Sequence, residues 1–165
     1  MFGGAKSAEK RREALRLANE AADNAMAALA EDDPKRAKQE LDAVPKKMSY
    51  ADGGWKPSLA LAVTELALGK RRSGMARLIE VCVGLDETNL TRDDKGYLRL
   101  YALYRGIEAS KDGKAPPELR AQVEDFRFDQ TLVSSELKSK FPLKKREAAE
   151  PEPPPMVPPK PESED

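Results

Sequence analysis

The chain has 165 residues, with 29 lysines and arginines balanced by 29 aspartates and glutamates, no histidine and one cysteine. That inventory excludes imidazole acid–base chemistry, His/Cys zinc sites, intramolecular disulfides and every Ser-His or Cys-His dyad. Aromatic residues make up 5% and Ala, Leu, Lys, Glu and Arg dominate, which argues against an all-β sandwich and for an all-α fold.

Residues 1–6, Met-Phe-Gly-Gly-Ala-Lys, read as a flexible N-terminus and lack the apolar run of a signal peptide. Apolar spacing then predicts a first helix over about 7–31, with Leu15, Ala18, Ala22, Ala25 and Leu29 on one stripe. Asp33-Pro34 supplies an N-cap and a first-turn proline for a second helix through Ala37, Leu41 and Val44, ending before Pro45. A polar connector with Gly53-Gly54 leads to Trp55. Pro57 can open a third helix over Leu59–Leu68, apolar all round and therefore central, closed by Gly69. A fourth, about 72–84, carries Met75, Leu78, Ile79, Cys82 and Val83. Thr91-Arg92-Asp93-Asp94 has the form of a capping box and opens a fifth helix to about Ser110. After Asp112-Gly113 and Pro116-Pro117, the positions Leu119, Val123, Phe126, Gln130, Val133 and Leu137 predict a sixth, bounded by Pro142.

Residues 146–165 differ in composition. They hold seven of the thirteen prolines and carry a net charge of −4, leaving +4 on residues 1–145. Fixed φ and missing amide donors forbid helix and sheet there, so a disordered proline-rich acidic tail is expected. The division is thus a helical domain over 7–145 and a tail over 146–165. No stretch approaches the ~20 apolar residues of a membrane span, so no membrane partner and a cytoplasmic location are expected.

The helical part repeats itself. A shift of 37 residues superposes Leu29–Ala37 on Leu66–Gly74, and in the same frame Leu41 meets Leu78 and Val44 meets Val81. A helix ending in Leu-Ala, a polar turn, a small residue (Ala37 or Gly74) and then Leu and Val therefore occurs twice, with a looser third copy turning at Asp112-Gly113. The small residue lets two antiparallel helices approach closely. This pattern, most of all Leu66-Ala67-Leu68-Gly69-Lys70, resembles the tetratricopeptide-like family of helical repeats over about residues 7–140. It lacks that family's Trp-x-x-Leu-Gly signature and inserts residues around Ser49–Lys56. About six helices are expected, as stacked antiparallel hairpins or as an irregular bundle. The resemblance implies binding of a partner segment in a concave groove.

Cys82 lies on an apolar stripe with no imidazole to activate it and reads as packing. The pairs Asp32/Asp33 and Asp93/Asp94 stand where helices begin and read as caps. No phosphate-binding glycine motif or metal-ligand spacing is present, so a non-enzymatic adaptor or chaperone-like protein without cofactor or metal is expected. The candidate partner-binding residues are Tyr97, Tyr101, Tyr104 and Arg105, since three of the four tyrosines fall within eight residues of one helix and Tyr and Arg are over-represented at binding hot spots. Trp55, in a glycine-rich connector, joins them; core packing is the competing role for all five. Basic clusters at 10–12, 70–72 and 138–146 give nucleic-acid association as the alternative, provided that they converge on one face. In the tail, Pro155-Met156-Val157-Pro158-Pro159-Lys160 fits a Pro-x-x-Pro-x-basic ligand, or a spacer.

Overall fold

A computed structural model of the chain describes residues 2–44, 50, 53–124 and 129–143. Seven α-helices follow in order: α1 (Phe2–Ala30), α2 (Pro34–Asp42), α3 (Trp55–Ala67), α4 (Arg71–Gly84), α5 (Arg92–Ala109), α6 (Pro117–Glu124) and α7 (Ser135–Lys140). Single 3-10 turns lie at Leu85–Glu87 and Gln130–Leu132, and no strand occurs among the described residues. Nor is any helix among them long and apolar enough to cross a membrane. The tail over 146–165, with its proline motif, lies outside the described residues.

α1 begins at Phe2 rather than near residue 7. Gly3 and Gly4 cost about 1 kcal/mol each in a helix interior, but here they sit in the first turn, whose amides have no intrahelical partner in any case. The alanines of α1 do what their size allows. Ala18, Ala22, Ala25 and Ala28 are buried, and both α2 and α3 pack closely on this stripe. The Asp33 carboxylate caps α2 by accepting from the Arg36 amide at 3.2 Å, with Pro34 behind it.

The 37-residue repeat is realised in the backbone. At the end of α1 the Asp33 amide bonds the Ala28 carbonyl and the Asp32 amide the Leu29 carbonyl, with Asp32 left-handed at φ 59°. At the end of α3 the Lys70 amide bonds the Glu65 carbonyl and the Gly69 amide the Leu66 carbonyl, with Gly69 at φ 86°. Each bond shifts by 37 positions onto its counterpart, and both turns are Schellman closures. The next small residues, Ala37 and Gly74, are both buried.

Helices α1–α2, α3–α4 and α5–α6 form three successive hairpins, and each packs on the next. α1 and α3 run the same way: Leu15 lies against Gly53 ahead of α3, while Met26 and Leu29 share a cleft with Val63 and Leu66 at the far end. α5 runs the same way again, because Arg71, just past α3, donates from Nε to the carbonyl of Ala109 at the end of α5 at 3.1 Å. Thus α1, α3 and α5 line one face, and α2, α4 and α6 back them.

The predicted sixth helix is broken. α6 ends at Glu124, and the chain resumes as a 3-10 turn and the short α7. The Asp129 carboxylate accepts from the Thr131 amide and hydroxyl at 2.9 and 2.7 Å, a local turn that competes with helix. The Asp129 and Ser134 amides are taken by the carboxylates of Asp93 and Asp94 at the start of α5, at 2.9 and 3.0 Å. The Thr91 hydroxyl does cap the Asp94 amide at 3.1 Å, but Asp94 reaches across to Ser134 in place of closing the box. Of the predicted stripe, Leu119, Val133 and Leu137 are buried; Phe126 and the side chains of Val123 and Gln130 lie outside the described residues.

Candidate functional site

The face formed by α1, α3 and α5 is crossed by the chain's own C-terminal segment. Held first to the start of α5 through Asp93 and Asp94, the segment runs through α7 and brings Phe141 to the middle of the face, where it is wholly buried. Trp55, the first residue of α3, and Tyr101 of α5 form the pocket. The Phe141 ring lies 5.4 Å from that of Tyr101, edge to face, and 6.0 Å from that of Trp55, tilted, arrangements favoured by the aromatic quadrupole.

Polar contacts fix the segment on either side of this anchor. The Tyr97 hydroxyl donates to the Phe141 carbonyl at 2.7 Å, and Arg105 Nη2 to the Leu143 carbonyl at 3.0 Å. The Arg105 guanidinium lies 5.1 Å above the Tyr101 ring, with Nη1 3.4 Å from Glu108. Burial pushes the hydroxyls of Tyr97 and Tyr101 above their ordinary pKa, so both stay protonated, and Tyr97 donates as a neutral group. On the opposite wall, Asp23 of α1 pairs with Lys140 at 2.7 Å and with Lys56 of α3 at 2.8 Å. Burial works to raise the Asp23 carboxyl, and the hydrogen bonds and charges of the two lysines overcome it, holding the group below its ordinary value.

Four of the five residues singled out in the sequence, Trp55, Tyr97, Tyr101 and Arg105, therefore meet around one anchor. Tyr104 does not join them: it is 40% exposed, at the outer edge of its face. Helical spacing put it in register with Tyr97 and Tyr101, but among the described residues no element covers that edge. Sequence reasoning missed Asp23, Lys56, Lys140 and Phe141. Phe141 was visible only as an aromatic inside a basic run.

Past Phe141 the face opens into a cleft of about 730 Å3 at the C-terminal ends of α1, α3 and α5. Met26, Leu29, Val63 and Leu66 give it an apolar floor, and Pro142 forms part of the wall. Arg105 lines it as well, and its buried Nε–H has no acceptor among the described residues. A buried donor in that condition costs about 1–3 kcal/mol.

Two of the basic clusters, 10–12 and 70–72, stand towards opposite ends of α3. Residues 10–12 precede Leu15, beside the start of α3, whereas 70–72 lie past the end of that 13-residue helix, a separation of at least ~20 Å at the helical rise. Arg71 is engaged on Ala109 and Lys140 on Asp23; residues 144–146 lie outside the described residues. Cys82 is buried, and burial pushes its thiol up to about 12. No family model, curated protein or solved structure matches this chain.

Proposed function

We propose that the chain is a non-enzymatic interaction module, an adaptor or chaperone-like protein, that holds an apolar segment of a partner protein on the face of α1, α3 and α5. The observation that carries this reading is the 730 Å3 cleft, apolar in its floor and lined by Arg105. Its size lies within the range of specific ligand clefts. The side chains of a peptide entering it would lie against Met26, Leu29, Val63 and Leu66. A tetratricopeptide-like groove would bind its partner on the corresponding face, so the resemblance points the same way.

Filling the cleft tests the reading. Ala67 lines it and is exposed, so Ala67→Trp occupies the space without entering the core. Capture from nuclease-treated extract, followed by mass spectrometry, is expected to recover a partner with the parent chain and to lose at least tenfold of it with Ala67→Trp at unchanged helicity. Equal recovery by both would sink the reading. Capture that vanishes with nuclease and falls steeply with salt would favour the nucleic-acid alternative.

A further inference from the structure

The six helices α1–α6 complete themselves as three hairpins, and α7 belongs to none of them. It is six residues long, far below the length at which a helix holds itself in water, so its shape depends on the face it lies against. The contacts that hold it there are those by which proteins read peptides: a buried aromatic anchor, main-chain carbonyls accepting from Tyr97 and Arg105, and one ion pair to Asp23. The solvent side of α7 is polar, with Ser135, Glu136 and Ser139 exposed.

We infer that residues 133–143 are a ligand bound in cis. The face occupied by Phe141 is a binding site for partner segments of the same chemistry, and these enter by replacing the chain's own. Leu137-Lys138-Ser139-Lys140-Phe141-Pro142-Leu143 defines the class: a short helix bearing an aliphatic residue, then a basic residue directly before an aromatic four positions on, then an apolar residue two further on. Leu137 and Phe141 are buried, which fixes the two apolar anchors. Asp23 accounts for the basic position, and recognition of the carbonyls of Phe141 and Leu143 is indifferent to side chain. Once the segment leaves, Trp55, Tyr97 and Tyr101 are uncovered together, an apolar patch rimmed by charge of the kind that marks a binding surface. Occupancy in cis lowers the apparent affinity for any partner in proportion to the fraction of closed molecules. The inference rests on reading this face as a partner-binding surface, and it adds the identity of the segment and its competition with the chain's own.

The experiment uses the full chain and a labelled synthetic peptide of residues 131–143. Phe141→Ala and Lys140→Glu each weaken the cis segment and change none of the residues of α1, α3 and α5 that hold it. Both variants are expected to bind the peptide at least tenfold more tightly than the parent chain does, and a peptide carrying Phe141→Ala is expected to lose at least tenfold. Should Phe141→Ala lose its helicity, Lys140→Glu, which keeps both apolar anchors, is read by the same criterion. Folded variants that bind the peptide no better than the parent, or that do not distinguish the two peptides, would overturn the inference. A parent chain that dimerises with concentration by exchanging this segment would also overturn it, giving the site to a second copy. Ala67→Trp fills the open cleft and replaces none of the residues that hold the segment, so loss of capture there with no peptide exchange here would refute the cis ligand and leave the proposed function standing.

Discussion

The Arg99 guanidinium is 1% exposed in the middle of the helical stack, where burying a charge costs several kcal/mol unless its donors are used. Nε and Nη2 both donate to the Cys82 carbonyl, at 3.0 and 2.6 Å, and Nη2 reaches Asp86 at 3.1 Å. Cys82 lies in the last turn of α4, where carbonyls run out of intrahelical donors and a cation meets the negative end of the helix dipole. Arg99→Met keeps much of the volume but abandons that carbonyl, and is expected to cost roughly 2–4 kcal/mol, measured as a lower urea midpoint. A midpoint within ~0.5 kcal/mol of the parent would show that the charge contributes nothing net. The role of Arg99 was not legible in the sequence, because an arginine between apolar residues on an amphipathic helix looks like a surface residue. Its acceptor is 17 positions away, on another helix.

At the scale of elements, the tight hairpins depend on the small residue just beyond each turn. A Cβ placed on Gly74 would lie 2.7 Å from both Cγ and Cδ2 of Leu66 and 3.1 Å from the Leu66 backbone nitrogen. Alanine gains about 1 kcal/mol of helix propensity over glycine, but the side chain can shift where the backbone nitrogen cannot, and overpacking costs about 1–3 kcal/mol. Gly74→Ala is therefore expected to lower the melting temperature by several degrees, despite its better propensity; a rise would show that α3 and α4 separate freely. Here the sequence was informative. The 37-residue shift that aligns Ala37 with Gly74 also aligns the turn hydrogen bonds, because both depend on residues within about nine positions of one another. The break between α6 and α7 was illegible for the opposite reason. Its amides are claimed by Asp93 and Asp94, 36 and 40 residues earlier, and no local periodicity records that. The same distinction separates the residues that meet around Phe141, three of the four singled out there lying on α5 alone, from Phe141 itself, which comes from the far end of the described chain.

Across the whole molecule, Asp23 ties the first helix to the last over a separation of 117 residues through Lys140, and to the start of α3 through Lys56. Its two lysines sit on different elements, so neutralising this one carboxylate loosens both attachments at once. Its carboxyl is held below the ordinary value of 3.8 in the folded chain, since the lysines overcome the opposing effect of burial. A depressed folded pKa means that the unfolded chain takes up the proton first. The stability gained from the pairs is thus full above about pH 3.8 and is lost progressively as the pH falls through the folded value. Exposed pairs would be worth little, but Asp23 is only about a third exposed and Lys56 still less, at 33% and 15%. Asp23→Asn removes the charge with little change of shape. It is expected to melt below the parent at pH 7, and the gap is expected to close as both are taken from pH 4 towards pH 2. In the peptide experiment the same substitution, introduced beside Phe141→Ala, is expected to weaken uptake several-fold at pH 7 and to matter progressively less as the pH falls through the lowered folded value, because protonation does to the aspartate what the mutation does. A gap in melting temperature that stays constant across this range would place the contribution of Asp23 in packing and not in its charge.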